Sequence, residues 1–154
     1  MATSAVPAAI TQLLAILRSP AIDGVDVIDG PPTNDVNTQD FIAIGWMPEG
    51  DQAAEIEQSW NAAGARTRDE VSAINGWIDV WSGDSDFTVV RARIFELLGE
   101  IEQRIRATGG NPEAPTLNGA VLWAEFSAGV LRQSYTDQGA RAALGFTVTC
   151  HARI

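Results

Sequence analysis

The chain has 154 residues, 45% of them hydrophobic and 19% charged, a length that fits one domain and a composition that excludes collagen-like, fibrous and wholly disordered classes. Twenty acidic side chains stand against ten basic ones, all of them arginine, for a formal net charge of −10. Such a surface repels phosphates, so binding to nucleic acid or to an anionic membrane by charge neutralisation is disfavoured. Cys150 is the only cysteine and His151 the only histidine, too few for an internal disulfide or a structural zinc site. The start of the chain lacks the cationic stretch of a signal peptide, and no apolar run of about 18 residues offers a membrane span. The expectation is an acidic protein made in a reducing cytoplasm.

The pattern predicts a first helix over 5–18, with Ile10, Leu13, Leu14 and Leu17 at helical spacing, a hydroxyl cap from Thr3 or Ser4, and Pro7 in the first turn. Ser19-Pro20 ends it. A Val-rich strand over 24–29 stops at Gly30-Pro31-Pro32, a polar loop runs over 31–40, and a second strand covers 40–46. Residues 53–60 alternate, with Ala54, Ile56 and Trp60 on one face and Glu55, Glu57 and Ser59 on the other. A hairpin connection at 61–66 leads to a long strand over 70–81, with Ile74, Gly76, Ile78 and Val80 on one side and Trp77, Asp79 and Trp81 on the other. Apolar groups on both sides predict a strand covered on both faces.

The break at 82–85 precedes the clearest helix, whose stripe is Phe87, Val90, Ile94, Leu97, Leu98, Ile101 and Ile105. Asp84 and Asp86 read as its cap and dipole partners, and the glycines at 109 and 110 as its stop. Two strands follow. In the first, Leu122, Ala124, Phe126, Ala128 and Val130 share a face, opposite Trp123 and Glu125; in the last, the even positions from Ala142 to Ile154 are apolar. The order α-β-β-β-β-α-β-β predicts an α+β domain over 1–154: a single, largely antiparallel sheet with two helices packed on one face.

Candidate chemistry is sparse, and no catalytic, cofactor-binding or metal-ligating residue is assigned. Cys150 and His151 are neighbours on a strand, so they point to opposite faces and cannot form a nucleophile–base pair. Asp23, Asp26 and Asp29 are spaced by three, which on a strand does not converge on a cation. Glu55 and Glu57 share a strand face, as paired acid–base carboxylates do, but the pattern reads as a solvated surface. No phosphate-binding glycine motif is present. Trp46, Trp60, Trp77, Trp81 and Trp123 lie on or beside strands and are open to two readings: a second small core, or a protein–protein surface.

Several segments in order carry a likeness: 25–32 (VDVIDGPP), 41–46 (FIAIGW), 57–60 (EQSW) before 64–68 (GARTR), 80–84 (VWSGD), 131–133 (LRQ) and 146–154 (FTVTCHARI). With this spacing the chain resembles, over nearly its whole length, the tail terminator (tail completion) proteins of long-tailed bacteriophages, in the branch found in phages and prophages of actinobacteria. The resemblance implies a non-enzymatic structural virion protein without cofactors. Such proteins form a hexameric ring on the finished tail tube, stop its polymerisation and offer a joint to the head-side connector, while DNA passes through the channel without specific binding. It also implies a sheet flanked by helices. Interface residues do not carry over from the family. From the residues themselves, Glu55, Glu57, Trp60, Trp77 and Trp81 are the oligomer-interface candidates. The rival readings are another head–tail neck or adaptor protein, and a small α+β enzyme or ligand-binding module.

Overall fold

A computed structural model describes residues 2–33, 40–83, 85–108, 114–137 and 139–154. Its elements run α1 (Val6–Arg18), β1 (Val25–Asp29), β2 (Asp40–Ile44), β3 (Ala54–Trp60), β4 (Arg68–Trp81), α2 (Phe87–Ile105), β5 (Trp123–Thr136) and β6 (Gly139–Arg153). The fold is α+β, in the order the sequence predicts. Most of the loop expected at 31–40, the cap expected at Asp84 and the stop expected at 109–112 lie outside the described residues.

The six strands form one sheet in the order β1-β2-β4-β6-β5. All pairings are antiparallel except β1 with β2. The long β4 shares one of its edges between two partners. β3 pairs with Arg68–Ile74 and β2 with Gly76–Asp79. Asn75 is the joint: its carbonyl accepts from Gly45 N (2.7 Å), its N–H donates to Ala53 O (3.0 Å), and its side chain donates to Gln52 O (3.0 Å).

The main core lies between the sheet and the helices. Leu13, Leu17, Ile94, Leu97 and Ile101 are buried in it with Ile42, Ile74, Ile78, Leu144, Phe146 and Val148, so the apolar stripe of α2 and the even face of the last strand meet in one cluster. Asp86 caps α2 by accepting Thr88 N at 2.9 Å. Helix α1 is held differently. Ser4 Oγ does accept Val6 N (3.1 Å), but the N-cap position is Ala5, whose N–H donates to the buried Glu70 of β4 at 2.9 Å. At its other end Arg104 of α2 donates to the carbonyls of Ile16 (2.9 Å), Leu17 (3.2 Å) and Pro20 (2.7 Å). A carboxylate at the N-terminus and a guanidinium at the C-terminus both match the helix dipole.

At the centre of the sheet two glycines make room for two aromatics. Gly76 faces Phe146 across β4 and β6, and the next pair reverses the roles, Trp77 facing Gly145. Phe146 lies over Gly76 on the helix side; Trp77 lies over Gly145 on the other side.

One expectation fails. Leu122 to Val130 do not share a face, because β5 carries a bulge between Phe126 and Ala128. Ser127 is the extra residue, and beyond it the alternation inverts. Ala124 and Phe126 point to the main core, whereas Ala128, Val130 and Arg132 stand opposite Thr147, Gly145 and Ala143, on the side away from the helices.

A β-carbon added at Gly76 would stand 2.2 Å from Phe146 Cζ. Gly76→Ala is expected to lower stability by roughly 1–3 kcal/mol through overpacking. In a Phe146→Leu background the same change costs measurably less, because the colliding ring is gone. Urea unfolding of the four proteins checks the coupling; equal costs in the two backgrounds contradict it.

Candidate functional site

The sheet face away from the helices divides into two regions. Around the second half of β4, Phe41, Ala43, Trp77 and Ala143 form a second buried cluster, with Ile28, Trp46 and Trp81 packed against it. Trp46 meets Trp77 edge-on with ring centres 6.3 Å apart, and Phe41 and Trp81 lie 6.0 Å apart. Of the two readings open for the tryptophans, Trp77 takes the core one: it is 7% exposed. Trp81 is half-buried. The turn after β2 is pinned over this cluster by Trp46, whose indole N–H donates to Asp51 at 2.7 Å.

A buried charge lies beneath. Asp79 accepts from Arg141 Nε (2.8 Å) and Nη2 and from Trp77 Nε1 (3.3 Å), while Arg141 rests over the Trp81 ring at 5.5 Å. The hydrogen bond to Asp79 pushes the Arg141 pKa up. Nearby, burial raises the pKa of Asp40, against the Trp81 N–H and the Arg93 guanidinium, which favour its ionised form. With every oxygen of Asp79 engaged, this ion pair is built to hold strands together.

Beside the cluster an open cleft of about 440 Å³ runs between the turn at 47–49 and the bulged half of β5. Ala128, Gly129 and Gly145 form its low floor; Met47, Trp77 and Val130 form its apolar walls. An ion pair, Arg132 with Glu49 at 2.8 Å, crosses its mouth. The Ser127 bulge is what turns Val130 and Arg132 onto this face. Uninterrupted alternation gave no sign of the cleft, and glycine at 129 was the only local hint.

The other region lies where β4 begins. Glu55 and Glu57 are exposed on the same face as Val71 and Ala73, and no third His, Cys, Asp or Glu among the described residues joins them to hold a metal. Trp60 lies across from Arg68, on the opposite side of the sheet. It is 63% exposed, and the Arg68 guanidinium stands 5.8 Å from its ring centre. Trp123 is also exposed and stacks on His151 at 4.3 Å. Cys150, on the adjacent position, faces the main core; burial pushes its thiol pKa up to about 11. The two residues point to opposite faces, as strand geometry requires.

The structure therefore separates the five interface candidates. Trp77 is interior, Trp81 roofs the ion pair, and Glu55, Glu57 and Trp60 are exposed on the first hairpin. No protein-family model matches the chain, and no curated protein matches it in sequence. What the arrangement offers is contact area: an apolar cleft bordered by the exposed Val130, and further large exposed apolar side chains at Ile56, Trp60, Val71 and Trp123.

Cys150 links stability to pH. The unfolded thiol ionises near 9.0 and the folded one near 11, so between these values the unfolded chain loses a proton that the folded chain keeps. Stability is expected to fall as pH rises through this window, by roughly 2–3 kcal/mol at most. Cys150→Ala removes that part of the slope. Urea unfolding of both proteins across the window checks this, and parallel profiles contradict it.

Proposed function

We propose that the chain is a phage tail terminator: a non-enzymatic structural protein that closes the head-proximal end of the tail tube as a ring, ends tube polymerisation and provides the joint to the head-side connector. The observation that carries this reading is the placement of apolar surface. The helices cover one face of the sheet and the other presents an apolar cleft over its centre, while the exposed Trp60 sits at the end of the first hairpin. Unlike surfaces at two places on one molecule can make head-to-tail contacts, which close into a ring when the rotation per subunit permits.

Three further facts support the reading. The ordered segments that resemble tail terminators span nearly the whole chain. The sheet flanked by helices is the architecture that resemblance implies. The net charge of −10 suits a channel wall past which DNA slides, since an acidic lining does not retain phosphates. In this role the partners are other copies of the chain, the tail tube protein and the connector, with assembly in the host cytoplasm and residence in the virion tail.

The test is tube length. Adding the protein to polymerising tube subunits should halt growth and leave a ring at one end of each tube under the electron microscope. Trp60→Ala, a change at an exposed position, should leave the monomer folded and yield longer, uncapped tubes. Growth unaffected by the wild-type protein contradicts the proposal. Binding to the connector but not to the tube favours a neck adaptor instead.

A further inference from the structure

We propose that the cleft between the turn at 47–49 and β5 is a binding site for a small hydrophobic carboxylic acid. The acid group is held at Arg132 and the apolar body lies against Trp77, Met47 and Val130. The cleft's volume of about 440 Å³ falls within the range of small-molecule sites, roughly 300–1,000 Å³. Binding here does not depend on the ring reading, because every contact comes from one chain.

The polar groups of the lining select the class of ligand. Its charged side chains are Arg132, Arg141 and Glu49, two cations to one anion, in a chain where acidic residues outnumber basic ones. Arg141 engages Asp79 through Nε and Nη2, so Nη1 stays outside that pair. Arg132 meets Glu49 through Nη2 alone, which leaves most of its N–H donors unspent. The Thr147 hydroxyl adds another donor. Donors therefore outnumber acceptors, and an anionic acceptor is the group that complements them. Glu49 itself shows a carboxylate seated at Arg132, at 2.8 Å. Both partners of that pair are exposed, so exchanging its carboxylate for a ligand's costs little. Glu49 brings no apolar group over the floor of the cleft; a hydrophobic acid does, and the apolar surface it removes from water tips the exchange. An amine would instead set a further cation beside two guanidinium groups, and a neutral alcohol would forgo the charge-assisted hydrogen bonds.

Octanoate, octanol and octylamine, each titrated into isotope-labelled protein and followed by NMR, test the site. Octanoate is expected to shift the amide signals of Val130, Gly145 and Thr147 and the indole signal of Trp77, and the other two probes to shift them far less at the same concentration. Arg132 and Glu49 are exposed, so the fold tolerates changes at both. Arg132→Gln should weaken octanoate binding about tenfold, through loss of a charged hydrogen-bond donor. Glu49→Gln should tighten it by up to about fivefold, because the competing carboxylate is gone. Ala128→Trp, which fills the cleft from an exposed position, should abolish it. Equal shifts with octanol overturn the proposal, since they describe an apolar groove without selection for an acid. It is overturned as well by octanoate shifts that map elsewhere, by no shift with any probe, or by an affinity that neither Arg132→Gln nor Glu49→Gln changes.

Discussion

The reciprocal packing of Gly76 with Phe146 and of Trp77 with Gly145 is the constraint on which the rest of the structure depends. A sheet covered on both faces must put a large side chain on each side of its central strands. Two such residues directly opposed would crowd one face and leave the other empty. Here each aromatic has a glycine for its cross-strand neighbour. Phe146 can therefore lie flat in the core under the helices while Trp77, one residue away on the partner strand, starts a second core on the other side. A slip of one residue would place Phe146 against Trp77 and send every apolar side chain of β6 to the wrong face. The register of β4 against β6 is thereby fixed, and with it the positions of the β3–β4 and β5–β6 hairpins.

Buried charges complete the arrangement. Glu70 and Arg104 close the two ends of α1 from distant parts of the chain, so the first helix is held to the sheet by its dipole ends as well as by its leucines. Asp79 and Arg141 do the same for the second face, tying β4 to β6 beneath Trp81. Each of these carboxylates would be costly unpaired at this depth. Their partners are set by the strand register, so the polar network is correct only when the central crossing is.

Much of the fold was legible in the sequence because periodicity carries it. The alternation from Ala142 to Ile154 and the stripe from Val90 to Ile105 were plain, and they meet as expected. What was not legible depends on tertiary context. The role of Glu70 as a cap for a helix sixty-five residues earlier has no local signal. The sharing of β4 by β2 and β3 follows from lengths that only the folded sheet reveals. The bulge at Ser127 inverted the faces of Ala128 and Val130, and with them the cleft, because a single inserted residue is invisible to alternation counted along one strand. The tryptophans could not be sorted by pattern alone. Trp77 and Trp60 both lie on strands, and only the folded sheet shows the first covered by its cluster with Phe41 and Trp46 and the second bare at the end of an edge strand.

The functional account rests on apolar surface that the monomer leaves uncovered, above all the cleft on the sheet face away from the helices. The measurement that tests it most directly is the symmetry and subunit count of the protein at the end of a finished tail, by electron cryomicroscopy. The account predicts a closed sixfold ring in which the cleft face of each sheet is covered by a neighbouring copy. A tube end carrying a single copy, or a ring built through the helices with the cleft face in solvent, would contradict it.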